Sequence, residues 1–245
     1  MSVSKLFTQE QLAALDPARI PRHIAIMPDG NRRWAQQQSD LPVKGYRAGA
    51  DVIVEIVKAS KEIGVKVLTF YLFSTENWSR PQEEIDVLMC LFEEFLTSQC
   101  EIMVSENIRL KTIGDLSRLP GGLIAIIEHV RHATEHCSGV EMVMALNYGA
   151  RDEICRAVQR IVDDRGHSGK ITESLLSRYL DTASLGDPDL LIRTSGEMRI
   201  SNFLLWQLSY AELYVTNVLW PDFTPWKFLE AVTDFQKRKR RLGGT

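Results

Sequence analysis

Apolar and polar positions alternate along the chain in two different registers. Short runs dense in Val, Ile and Leu recur at 23–28, 66–73, 108–113, 140–147, 189–193 and 212–216, and each predicts a strand. Between them, apolar positions spaced by three and four predict helices over 45–63, 82–104, 121–137, 149–164, 172–181 and 224–241. Apolar strands separated by helices indicate an α/β fold with a mostly parallel central sheet of about six strands covered by helices. No Pro/Gly/Ser-rich linker or internal repeat divides the chain, so residues 1–245 read as one domain, with 1–20 a flexible or peripheral N-terminal segment.

The helix over 82–104 is apolar around more of its circumference than one contact face needs: Ile85, Val87, Leu88, Met89, Leu91, Phe92, Phe95, Leu96, Ile102 and Met103 all fall within it. A well-buried core helix accounts for this. The sharper expectation is that one face packs on the sheet while another lines an apolar tunnel between sheet and helices.

Composition narrows the class. Hydrophobic content of 44%, charged content of 25% and a net charge of −3 suit a globular protein and give no sign of nucleic-acid binding. Residues 1–22 carry Lys5, Glu10, Asp16, Arg19 and Arg22 and no signal-peptide pattern. No apolar run approaches the ~20 residues of a membrane span. Cys90, Cys100, Cys137 and Cys155 form no C-x-x-C pair and read as reduced thiols of a cytoplasmic protein.

Chemistry concentrates where strands end. The run His23–Met27 leads into Pro28-Asp29-Gly30-Asn31-Arg32-Arg33-Trp34, in which Asp29 can ligate a hard cation and Arg33 and backbone N–H groups can hold phosphate oxygens. A second strand delivers Ser74-Thr75-Glu76-Asn77-Trp78-Ser79-Arg80-Pro81, followed by Glu83 and Glu84. A capping loop explains Ser79 and Pro81 but not Asn77, Trp78 and Arg80 together. A third delivers Arg193, then Arg199 and Ser201, a set suited to a diphosphate because each guanidinium binds bidentately. Glu212, in Tyr210-Ala-Glu-Leu-Tyr214, offers a second carboxylate for a cation. Diphosphate head, divalent cation and greasy tail are jointly implied, which is the character of an isoprenoid diphosphate.

These stretches, with Leu219-Trp220-Pro221-Asp222-Phe223, closely resemble the cis-prenyltransferases, and the bacterial undecaprenyl diphosphate synthases among them, from about His23 to the end of the chain. The resemblance implies magnesium-dependent addition of isopentenyl diphosphate to an allylic diphosphate, usually farnesyl diphosphate, by a homodimer. The product would be a Z-polyprenyl diphosphate: undecaprenyl diphosphate for the cell-wall lipid carrier, or a medium or short chain. By resemblance Asp29 serves magnesium and the allylic diphosphate, and Gly30, Asn31, Arg32, Arg33, Trp34 and Tyr46 surround that diphosphate. Ser74, Thr75, Glu76, Asn77, Trp78 and Arg80 orient substrate, with Asn77 counted as catalytic. Arg193, Arg199 and Ser201 take isopentenyl diphosphate, and Glu212 joins Asp29 on the metal. The proton lost after condensation goes to diphosphate, to Asp29 or through the Ser74–Asn77 pair.

The chain departs from the family pattern at several points. Arg32 stands where a Gly is usual, Tyr46 where a His is usual, and Ser195 and Met198 where Gly and His are usual; only Lys44 supplies a cation in the segment where an upstream Arg is common. Leu72 and Leu146 stand where relatives often carry Ala, which would shorten the tunnel. The single Asp163-Asp164 pair disfavours trans chemistry, and retention of Asp29 and the arginines disfavours a non-catalytic prenyltransferase subunit. His129, His132 and His136 share one helix face and read as a solvated polar surface. The run Lys237-Arg238-Lys239-Arg240-Arg241 complements a helix C-terminus and suits contact with an anionic membrane at the inner face. By resemblance, Arg241-Leu242-Gly243 is a minority candidate to reach a substrate across a dimer.

Overall fold

Residues 6–164 and 169–239 are described by a computed structural model. Every expected strand is present to within a residue at each end: β1 (His23–Met27), β2 (Val67–Ser74), β3 (Ile108–Ile113), β4 (Val140–Tyr148), β5 (Leu190–Arg193) and β6 (Glu212–Val215). They pair in parallel in the order β3-β4-β2-β1-β5-β6. The chain therefore works outward from β1 through β2 in one direction and resumes from β5 in the other. In an open parallel sheet the crevice at such a reversal is where ligands bind, at the carboxyl ends of the strands.

Helices α1 (Gln9–Ala13), α2 (Asn31–Gln37), α3 (Pro42–Ile63), α4 (Gln82–Ser105), α5 (Gly121–Ala133), α6 (Ala150–Asp163), α7 (Glu173–Tyr179) and α8 (Pro225–Lys237) complete the described elements. Helix α2 was not expected: its seven residues are too few and too polar to show a period. Helix α3 starts three residues early because Pro42, with φ preset, occupies its first position. Helix α5 ends early, at Ala133, where the Thr134 hydroxyl donates to Val130 O and accepts the Leu110 N–H. Helix α8 stops at Lys237, with Arg238 extended; Arg240 and Arg241–Gly243 lie outside the described residues.

Alternation along the strands assigns the two faces of the sheet. Ile24, Ile26, Leu68, Phe70, Met142 and Met144 enter one large core with α3, α4, α5 and α8, whereas Ala25, Met27, Val67, Val143 and Ala145 face Phe203, Leu204 and Leu208. Fully burying each large side chain of the first core, such as Phe70 or Phe228, contributes roughly 1.5–3 kcal/mol. The described part of the N-terminal segment packs onto that core through Phe7 and Leu15, and the N–H groups of Leu6 and Phe7 donate to Glu62. No helix among the described residues is long and apolar enough to cross a membrane.

Candidate active site

The switch point brings the first and third chemical stretches together. Met27 and Arg193 are register partners, so Asp29, two residues past β1, meets Arg193 at the end of β5. Arg193 Nη2 donates to Asp29 Oδ2 at 2.9 Å, and its Nη1 donates to Arg199 O and, at 3.2 Å, to Ser201 Oγ. The Arg193 side chain is only 5% exposed and its Nε has no partner, while the Asp29 side chain is 37% exposed: an anchored guanidinium beside an accessible carboxylate. Thr194 fixes Asp29 from below, accepting its N–H at 2.9 Å and donating to its carbonyl at 2.7 Å.

Gly30 starts α2 with φ +107, and a Cβ there would lie 2.9 Å from Leu219 Cδ2, so only glycine turns the chain at this point. The turn points the first residues of α2 at the crevice. Arg33 donates to Ser195 O at 3.1 Å and Ser195 Oγ at 2.6 Å, 3.8 Å from Asp29 and 3.5 Å from Glu197. Arg199 is paired with Glu197. Asn31 donates to Pro28 O at 3.2 Å and keeps a buried Oδ1 without a partner.

The second stretch closes the mouth. Ser74 and Asn77 cap a 3-10 turn over Thr75–Ser79: Asn77 Oδ1 accepts the Ser74 N–H at 3.1 Å, and the Ser74 hydroxyl accepts in return. Glu76 is partly desolvated, but the Asn202 amide, which donates to it at 2.9 Å, and its other hydrogen bonds hold its carboxyl below the ordinary value. Arg80 donates through Nη1 to Glu84 at 3.0 Å and to the Tyr46 hydroxyl at 3.3 Å, and Tyr46 donates to the same Glu84 oxygen at 2.6 Å. Burial, reinforced by Glu84, pushes the Tyr46 phenol well above its ordinary pKa.

Most of these groups line one cavity of about 750 Å³, with Glu84, Thr194, Ser195 and Glu197 outside its lining. Its polar end carries Asp29, Gly30, Asn31, Arg32, Arg33, Tyr46, Ser74, Glu76, Asn77, Arg80, Arg193, Arg199 and Ser201. Its other end runs between sheet and helices, walled by Ile53 of α3, Leu72 and Met144 of the sheet, and Leu88, Leu91, Phe92 and Phe95 of α4. The broad apolar surface of α4 is thus shared between core and tunnel.

Four expected site residues lie elsewhere. Trp34 donates to Asp222 at 2.8 Å, outside the lining. Thr75 packs against the backbone of Gly149. Trp78 stands edge-on to Phe73, donates to Asn147 at 2.8 Å and carries Arg118 over its ring, which pins the turn rather than lining the cavity. Glu212 is the first residue of β6, level with Leu190 and Ile24, and is held by Arg238 at 2.9 Å. It lies roughly 10 Å below the ends of β1 and β5 along the strand direction. Within one chain it does not share a metal with Asp29. Leu146, fully buried, belongs to the core rather than the tunnel wall.

Sequence reasoning missed Tyr71, Asn202 and Trp220. Tyr71 stacks on Phe203 at 4.4 Å and donates to Ser201 O, steadying the segment that carries Ser201. Trp220 donates to Gly49 O at 2.8 Å and lines the cavity beside α3. Among the departures, Ser195 has φ +73, a conformation suited to glycine, and its hydroxyl holds Arg33; Met198 is 88% exposed and outside the cavity lining.

No cluster of three His, Cys, Asp or Glu side chains suited to a metal occurs among the described residues. One accessible carboxylate, Asp29, nevertheless fits magnesium, which is commonly held by one or two carboxylates with substrate phosphates and water as its other ligands.

A parallel sheet whose strand ends present arginines and carboxylates at the head of an apolar tunnel suits a transferase that takes a diphosphate with a long apolar tail. Residues 26–243 match the family model described as "Putative undecaprenyl diphosphate synthase", and the chain belongs to that family. It is 49% identical over 230 residues to an isoprenyl transferase of Bacillus cereus, covering 92% of this chain and 89% of that one. It is 47% identical over 233 residues to an isoprenyl transferase of Chlamydia pneumoniae, covering 92% and 93%. Its fold is similar to lavandulyl diphosphate synthase from Lavandula x intermedia, crystallised with dimethylallyl diphosphate, with a TM-score of 0.90 at 34% identity over 93% of this chain and 100% of that one. A "probable undecaprenyl diphosphate synthase" from Campylobacter jejuni gives a TM-score of 0.78 at 35% identity over 91% and 99%. The chain is an enzyme of prenyl transfer and elongates prenyl chains by cis condensation.

Proposed function

We propose that the enzyme adds isopentenyl diphosphate repeatedly to farnesyl diphosphate and releases a long Z-polyprenyl diphosphate, undecaprenyl diphosphate in the first instance. The observation that carries this reading is the continuity of one cavity: its head is lined by guanidinium groups and its body by Leu72, Leu88, Phe92 and Phe95. Gly30, Asn31 and Arg33 take the allylic diphosphate, and Arg193, Arg199 and Ser201 that of isopentenyl diphosphate. As the allylic C–O bond breaks, negative charge gathers on the departing diphosphate, and the arginines are already placed to meet it. The isopentenyl double bond attacks the allylic carbon, and one proton is lost to restore a double bond. Asn77 orients rather than accepts that proton, since its carbonyl oxygen is occupied by the Ser74 N–H.

Magnesium, held by Asp29 and diphosphate oxygens, would neutralise charge on the leaving group. The assignment of Glu212 to the metal requires a second chain to carry it to the pocket, which is compatible with the homodimer we propose. The product's tail favours work in the cytoplasm at the inner face of the membrane.

Purified protein incubated with labelled isopentenyl diphosphate, farnesyl diphosphate and magnesium should yield lipid-soluble label; none would overturn the reading. Product sizing by mass spectrometry tests its length, and Leu72→Ala should lengthen the product if Leu72 limits the tunnel. A non-catalytic subunit is disfavoured because Asp29, Arg33, Arg193 and Arg199 all line the cavity.

A further inference from the structure

Two of the positions at which this chain departs from the motif converge on a single carboxylate. Arg32 opens α2, Tyr46 lies in α3, Arg80 follows the 3-10 turn and Glu84 sits in the first turn of α4. Glu84 Oε1 accepts from Tyr46 at 2.6 Å and from Arg80 at 3.0 Å, while Oε2 faces Arg32 Nη1 at 3.4 Å. The Glu84 side chain is 13% exposed against 60% for Arg32, so the carboxylate is held inside and Arg32 covers it from the solvent side. Arg80 meets both Glu84 and Tyr46 through Nη1 alone. Its Nε–Nη2 edge is left for a planar, bidentate acceptor such as a phosphate. A glycine at position 32 would give Glu84 nothing.

We propose that Arg32 and Tyr46 are positioning residues that act through Glu84: they hold its carboxylate so that Arg80 presents its Nε–Nη2 edge to the allylic diphosphate before substrate arrives. The inference rests on the prenyl-transfer reading for the identity of the ligand, but the clasp itself exists in the substrate-free chain. Arg32 and Tyr46 come from α2 and α3 to meet Glu84, which Arg80 meets from four residues earlier, so the clasp also fixes how the 75–81 turn closes on the pocket mouth. Pre-set donors cost no ordering on binding, so the consequence is affinity for one of the two substrates.

Tyr46→Phe, which removes only the hydroxyl, should raise KM for the allylic diphosphate about fivefold, with a smaller rise, under about twofold, for isopentenyl diphosphate. Arg32→Gly should act in the same direction more weakly, about twofold, because its pair is exposed, and Arg32→Lys should restore most of the loss. In a Glu84→Ala background neither substitution should have a further effect, since both work through that carboxylate. Hydrogen exchange of the 75–80 amides in substrate-free protein should quicken in Tyr46→Phe and Glu84→Ala, and saturating inorganic diphosphate should slow it more in wild type than in either variant. Equal shifts in the two KM values, or an undiminished Tyr46→Phe effect in the Glu84→Ala background, would overturn the proposal. Failure of the wild-type chain to make lipid product would instead reject the function, while the exchange of the substrate-free amides still decides the clasp.

Discussion

The two ends of the central sheet carry the same residue types and use them differently. At the carboxyl ends Asp29, Arg33, Arg193 and Arg199 face a cavity; Asp29 pairs with Arg33 and Arg193, and Arg199 pairs with Glu197. At the amino ends His23, Asp189 and Glu212 serve the chain itself. The His23 ring lies between Gly186 O and Thr69 Oγ1, both at 2.8 Å; Asp189 accepts the N–H groups of Arg22 and His23; Glu212 is tied to Arg238. An ion pair facing a cavity can be exchanged for a ligand at little net cost. A polar side chain bonded to backbone, as Asp189 and His23 are, cannot, because breaking those bonds strands a polar group. The end of the strand, more than the residue type, separates chemistry from architecture.

The largest test of this contrast is at the carboxyl end. Asp29→Asn keeps the shape and should cut turnover by about 10³-fold, in the range for removing one preorganised electrostatic group. Its melting temperature should stay within a few degrees of wild type, and comparable activity would remove Asp29 from the mechanism. At the amino end the expected signature is stability, not turnover. Burial holds the His23 pKa near 4, below its ordinary 6.5. The unfolded chain therefore takes up a proton that the folded chain refuses as pH falls from 6.5 toward 4, and stability drops by up to about 3 kcal/mol across that window. Urea unfolding at pH 7 and pH 4.5 reads this, and a variant lacking the imidazole, His23→Gln, should lose that share of the slope.

Glu212 probes the boundary between the two ends. Its pair with Arg238 is partly exposed, so Glu212→Gln should cost less than about 1 kcal/mol in chemical denaturation. Mixing Asp29→Asn with Glu212→Gln chains should restore activity that neither has alone if two chains share a metal site; a loss of turnover without restoration would break the contrast. The smallest effect concerns Ser195. Glycine there relieves a left-handed backbone by about 1 kcal/mol but removes the hydroxyl that holds Arg33, so Ser195→Gly should raise thermal stability slightly while raising KM for the allylic substrate.

Strand positions were legible because a buried parallel strand is a run of apolar residues, and β1, β2 and β4 are such runs. The site was legible in Asp29, Arg33, Arg193 and Arg199 because their density after apolar runs has no packing explanation. Trp34 and Trp78 misled because an indole beside charged residues reads alike whether it lines a pocket or pins a turn. Tyr71 and Trp220 were missed since an aromatic within an apolar stretch gives no local sign that its edge reaches a cavity. Leu72 and Leu146 looked equivalent at strand ends, yet only Leu72 lines the tunnel.

Sequence alone thus determined the parallel α/β architecture, the three strand ends that carry charge and the breadth of the apolar surface on α4, because periodicity and composition are local properties. Strand order was decided only in three dimensions. It set β5 beside β1, joining Asp29 to Arg193 across 164 positions, and left Glu212 at the amino end of the edge strand β6. Tertiary packing likewise brought Arg32 of α2 and Tyr46 of α3 onto the Glu84 carboxylate, which Arg80, four residues earlier, already meets. Such contacts depend on where whole elements are laid against each other, which no short window of the chain encodes.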